Sequence, residues 1–159
     1  MTNSKKSGVN KQSSSAVRGR GVILPIDACP SCGKALREKR STLSFPVNGE
    51  NIKVKKARHL SCPDCGEMVL LEEQARYVQR EAVNTYRDKY RLLSAEEIRS
   101  VRERFGLTQA ELSKILRLGP NTISRWEMGR NVQTAAMDVL LRLIRDLPES
   151  LEYLRKNVA

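Results

Sequence analysis

Residues 119 to 130 read GPNTISRWEMGR, a stretch that carries the marks of a short helix at both ends. Proline gives up no hydrogen bond at the first helical position, so Gly119-Pro120 marks a start. Gly129 suits the stop. In a helix begun there, Asn121 and Arg125 lie four residues apart and share one face, while Ile123 and Trp126 lie three apart and share another. The first face is polar and the second is fit for a core. An Asn amide can pair with N6 and N7 of adenine and an Arg fork with O6 and N7 of guanine, each worth about 1–3 kcal/mol of discrimination. A polar helix face is also what solvation alone requires, and the neighbouring sequence has to separate the two.

Around that stretch the helix signals repeat. Ser94-Ala-Glu-Glu97 is a capping box, in which the Ser hydroxyl accepts from the third N–H and the Glu carboxylate returns to the Ser N–H. Thr108-Gln-Ala-Glu111 repeats the device just after Gly106, so one helix stops and the next begins within a few residues. A further helix is expected from about Thr134 to Leu147, with Val139, Leu140, Leu143 and Leu147 in one stripe, and Pro148 opens a last one that ends near Arg155. Five short helices over 94–159 make a small bundle.

The N-terminal half is punctuated differently. CPSCG and CPDCG place Cys29, Cys32, Cys62 and Cys65 in two chelating loops, each followed by a glycine, Gly33 or Gly66, that lets the backbone turn both thiolates toward one ion. Four thiolates complete a tetrahedral shell with no open position, which suits one structural Zn²⁺ per chain rather than a catalytic metal. Iron would use the same sulfurs, and a redox pair or two disulfides are the other uses of such cysteines. His59, the single histidine, is expected on the strand surface outside the ligand set. Between the loops Leu43, Phe45 and Val47 alternate with polar residues, Asn48-Gly49 makes a turn, and Ile52 and Val54 alternate again, the pattern of a β-hairpin. Leu71, Ala75, Val78, Ala82 and Tyr86 then recur at helical steps. The fold class is α+β: a small N-terminal four-cysteine zinc module with a β-hairpin, a connecting helix, and a five-helix C-terminal bundle. The segments are a basic tail at 1–20, expected to be disordered, the zinc module at 21–70, the connector at 71–93 and the bundle at 94–159.

Composition sets the class of partner. The net charge of +11 and the pI near 9.9 favour a polyanion such as nucleic acid. No apolar run approaches the length of a bilayer span, and the start is polar, so a soluble cytoplasmic protein without a membrane partner is expected. No paired-carboxylate constellation can be placed in a pocket, and no nucleophile with a histidine base and no phosphate-cradling glycine loop is seen, which speaks against an enzyme.

The frame IRSVRERFGLTQAELSKILRLGPNTISRWEMGR resembles the Cro/repressor, XRE-type, helix-turn-helix family over about residues 94 to 155. The resemblance implies that Gln109 holds a phosphate, that Asn121 and Arg125 read bases with Thr122 and Arg130 beside them on the DNA, and that Arg102 and Glu127 form a structural pair. Pro120 stands where many members carry a polar base-reading side chain, implying fewer contacts at the helix tip. With the two Cys pairs and the connecting helix in front of it, the chain after residue 28 resembles the MqsA-type antitoxins, also described as YgiT-type zinc-finger antitoxins. That resemblance implies a repressor of its own operon, acting as a homodimer on an inverted repeat of double-stranded DNA, whose zinc domain neutralises a cognate toxin, typically an mRNA-cleaving one. The alternative is a stand-alone zinc-containing helix-turn-helix regulator with no toxin.

Overall fold

A computed structural model describes residues 27–157; the basic tail at 1–20 lies outside them. The chain is α+β, with one antiparallel sheet in the order β1-β2-β3 and six helices among the described residues. The strands are β1 (Arg37–Val47), β2 (Glu50–Ser61) and β3 (Met68–Val69). The helices are α1 (Glu72–Tyr90), α2 (Ala95–Arg104), α3 (Gln109–Ile115), α4 (Thr122–Glu127), α5 (Ala135–Asp146) and α6 (Pro148–Asn157). None of them is long and apolar enough to cross a membrane.

The hairpin turns at Asn48 (φ 48°) and Gly49 (φ 81°), both in the left-handed region that a two-residue turn between twisted strands demands. Its register opposes Phe45 to Ile52 and Leu43 to Val54, so the alternating apolar residues share one face. Between Ser41 and Leu43 the pairing slips: Ser41 faces Ala57, leaving Lys55 and Lys56 opposite Thr42 alone. Lys56, at φ 54°, is the extra residue of a β-bulge. The bulge reverses the parity of β2, so that Ala57 and His59 join Ile52 and Val54 on the buried side. His59 is therefore 4% exposed, against the expectation that it lies on the surface, and its Nδ1 donates to the Ala57 carbonyl at 3.2 Å. Helix α1 lays Val78, Ala82 and Val83 on this face, and Val132 from the loop after α4 completes the cluster.

A second core gathers Leu93, Ile98, Val101, Leu107, Leu112, Ile123, Trp126, Leu141, Ile144 and Leu151 from α2 to α6 and their joints. Both capping boxes are formed, Ser94 with Glu97 and Thr108 with Glu111. Two expectations shift. Helix α4 begins at Thr122, with Asn121 as its N-cap, because Gly119 to Thr122 first closes a turn in which the Thr122 N–H donates to the Gly119 carbonyl. The stripe foreseen on α5 is largely solvent-facing: Val139, Leu143 and Leu147 are 57%, 42% and 47% exposed, while Leu141 and Ile144 make the core contact.

Candidate metal centre and nucleic-acid interface

The two cysteine loops are built alike. In the first, the Gly33 N–H donates to the Cys29 carbonyl and the Cys29 N–H to the Lys34 carbonyl; in the second, Gly66 donates to Cys62 and Cys62 to Glu67. Gly33 (φ 73°) and Gly66 (φ 76°) close the turns in the left-handed region, where a side chain is strained. Matching turns, one before β1 and one after β2 at the open end of the hairpin where Arg37 pairs with Ser61, bring the four sulfurs together. All lie within 4.8 Å of one another, and the Cys29–Cys65 and Cys32–Cys62 pairs are each 3.5 Å apart. A tetrahedron with metal–sulfur bonds of about 2.3 Å has sulfurs about 3.8 Å apart, so the set fits such an ion. All four cysteines are free thiols, with no two sulfurs at bonding distance.

Crowding makes the thiols unequal. The Cys65 N–H, followed by the Asp64 N–H and the Cys32 thiol, holds Cys62 down to about 7 against the effect of burial. The Glu67 N–H lowers Cys65, but the neighbouring thiols and burial outweigh it and push that group up to about 12. Cys29 and Cys62 are buried, Cys32 and Cys65 exposed.

In the helical part of the chain, Asn121 and Arg125 are exposed and Thr122 is half-buried. The Arg125 N–H donates to the Asn121 carbonyl, which fixes the two one turn apart, and neither side chain caps the helix. Ile123 and Trp126, on the opposite side, are buried. Behind α4 lies a knot around Glu127, whose side chain is 1% exposed. Arg102 grips its carboxylate with Nε at 2.6 Å and Nη2 at 3.0 Å, and Gln109 Nε2 donates to Oε2 at 2.8 Å. Burial raises a carboxyl, but Arg102 and Gln109, with Arg99 beyond them, outweigh it and hold Glu127 below its ordinary value. Arg102 also donates through Nη1 to the Leu107 carbonyl. Gln109 is thus anchored on Glu127 by one N–H, with its second N–H outside that bond. Arg130, just past the helix, is exposed.

A polar joint that sequence reasoning missed ties α1 to this region. Arg87 is 1% exposed; its Nη2 donates to the Trp126 carbonyl at 2.9 Å and the Asn131 carbonyl at 3.3 Å, and its Nε to Gln133 at 3.3 Å. Gln133 passes the connection on to the Leu93 carbonyl and Asp138, and Asp138 accepts from the Leu93 N–H and from Arg142. The one signal available was Arg87 itself, a charge directly beside Tyr86 on the apolar face of α1.

The model of a family described as the antitoxin component of bacterial toxin-antitoxin systems, MqsA, matches residues 27–155. Antitoxin MqsA of Escherichia coli (strain K12) is 27% identical over 130 residues, covering 80% of this chain and 98% of that protein. Antitoxin HigA-2 of Vibrio cholerae serotype O1 is 32% identical over 62 residues, covering 39% of this chain and 60% of that protein, less than two thirds of its length.

Proposed function

The chain belongs to the MqsA family, the antitoxin component of bacterial toxin-antitoxin systems, and on that premise we propose that it represses transcription by binding an operator as a homodimer and neutralises a cognate toxin. The observation that carries the DNA half is the presentation of Asn121 and Arg125. Both are exposed, one turn apart, on a helix whose other face is locked into the core by Ile123 and Trp126. An amide and a guanidinium so placed match the edges of adenine and guanine. Thr122, the second N–H of Gln109, and Arg130 then meet phosphates beside the bases. Arg102 and Glu127 hold the helices in place and touch no base. The short α3 and α4, joined by the 116–121 turn, serve as the helix-turn-helix.

The homodimer is supported by the exposed Val139 and Leu143 on one side of α5 and Leu147 at its C-cap, an apolar surface suited to its own two-fold copy. Two copies would set two α4 helices on half-sites about one helical turn apart. Cys29, Cys32, Cys62 and Cys65 would hold one Zn²⁺, whose role with four thiolates is structural. The toxin is assigned to the part of the chain that carries this centre, with the sheet as its platform.

Selection of bound sites from random DNA by the purified chain tests the first half. Asn121→Ala and Arg125→Ala should each weaken the selected site by about 1–3 kcal/mol while keeping affinity for unrelated DNA. If both folded variants bind the selected site like the parent, the base-reading assignment is wrong. Co-purification with the product of an adjoining small reading frame, and relief of that product's toxicity, tests the second.

A further inference from the structure

A cleft of about 370 Å³ separates α1 from the far end of α4, and Arg76, Gln79, Arg80 and Asn84 face Met128, Gly129 and Arg130 across it. Arg76, Arg80 and Asn84 follow one another at four-residue steps and so form one row along α1. Arg76 is paired with Glu72. The guanidinium groups of Arg80 and Arg130 have no hydrogen bond or ion pair among the described residues. Of the two acids in the lining, Glu127 is engaged by Arg102 and Gln109, which leaves Glu96 to oppose them.

The walls are fixed at close quarters. A Cβ on Gly129 would come within 3.1 Å of Arg80 Cγ, so the arginine stem lies directly over the residue that ends α4. Gln79 Nε2 donates to the Arg130 carbonyl at 2.8 Å, tying the same loop to α1. We infer that this cleft grips a phosphate of the DNA backbone between Arg80 and Arg130, so that the helix lying on the sheet shares in operator binding. The inference rests on the base-reading assignment of Asn121 and Arg125. Helix α4, at 1.5 Å per residue, is about 9 Å long, and the major groove is about 12 Å wide. With bases at the Asn121 end, the Arg130 end reaches the phosphate rim. A guanidinium fork is suited to phosphate geometry, and such a contact sets register without reading sequence.

The test is a salt titration of the full chain on two duplexes, one carrying the site selected from random DNA and one scrambled. Arg80→Ala should flatten the slope of log affinity against log salt by about 0.9, the value of one lost phosphate contact. Both duplexes should weaken equally, with the thermal midpoint unchanged. Arg80→Gln, which keeps much of the stem over Gly129, should do the same if the charge matters rather than the packing. A parent-like slope in either folded variant overturns the cleft, as does a loss confined to the selected site. Asn121→Ala separates the two assignments. If it abolishes preference for the selected site while Arg80→Gln behaves as the parent, the cleft fails alone. If preference survives Asn121→Ala while Arg80→Gln flattens the slope, the base readers are wrong and the cleft stands. A parent chain that binds neither duplex overturns both.

Discussion

With 1% of its side chain exposed, Glu127 is held below its ordinary value against burial by Arg102 and Gln109, which both donate to it, and by Arg99. Removing the guanidinium takes away the closest cation from a buried carboxylate and leaves it only Gln109 and the more distant Arg99, so Arg102→Ala should cost about 3 kcal/mol in urea unfolding. The carboxyl is held below its ordinary value in the folded chain, so the stability it contributes is full above the unfolded value and is lost as pH falls through the folded one. The gap in unfolding free energy between the parent and Glu127→Gln should be widest at about pH 7 and narrow toward about pH 3. A gap independent of pH would show that the carboxylate is not held by its cations. This pair was legible from the helix-turn-helix pattern of the sequence. Arg87, more deeply buried, was not, because two of its acceptors are backbone carbonyls 39 and 44 residues away, which carry no sequence signature, and the third is the neutral Gln133, 46 residues away.

At the scale of elements, the hairpin followed from alternation and from Asn48-Gly49, both local signals. The bulge at Lys56 did not, although two consecutive lysines break the alternation between Val54 and Ala57. Because the bulge adds one residue, deleting Lys56 should restore unbroken pairing with Ala57 and His59 still buried, and the sheet should survive with its thermal midpoint near that of the parent. Deleting Lys55 and Lys56 together should turn both residues outward and carry Arg58 toward α1, dissolving the sheet–helix core. Amide exchange protection across β2 distinguishes the two variants. On α5 the stripe was visible in sequence, but its burial was not, since periodicity reports which residues share a face and not what covers it.

For the whole molecule, the exposed side of α5 leads to an expectation about association. Burying one leucine is worth about 1.5–3 kcal/mol, so Leu143→Glu should weaken the dimer at least about tenfold, read by light scattering across a dilution series. A parent that stays monomeric at every concentration would refute the dimer. Chelation should act on the sheet: zinc-loaded protein treated with a strong chelator should lose protection in β1 and β2 before the core of α2 to α6 yields. The cysteine quartet was readable because its spacing is local, whereas the contact between the two cores depends on residues that meet only after folding.

Val132 belongs to that contact. It sits in the loop behind α4, yet its side chain is buried among Val47, Ile52, Val54 and Val83. The valine acts as a fulcrum between two levers, with the sheet on one arm and a six-residue helix on the other. A pull on the hairpin therefore reaches α4 along three strands of one tether, the Val132 side chain in its socket and, by way of α1, the Arg87 and Gln79 hydrogen bonds, and all three must give before sheet and helix move independently.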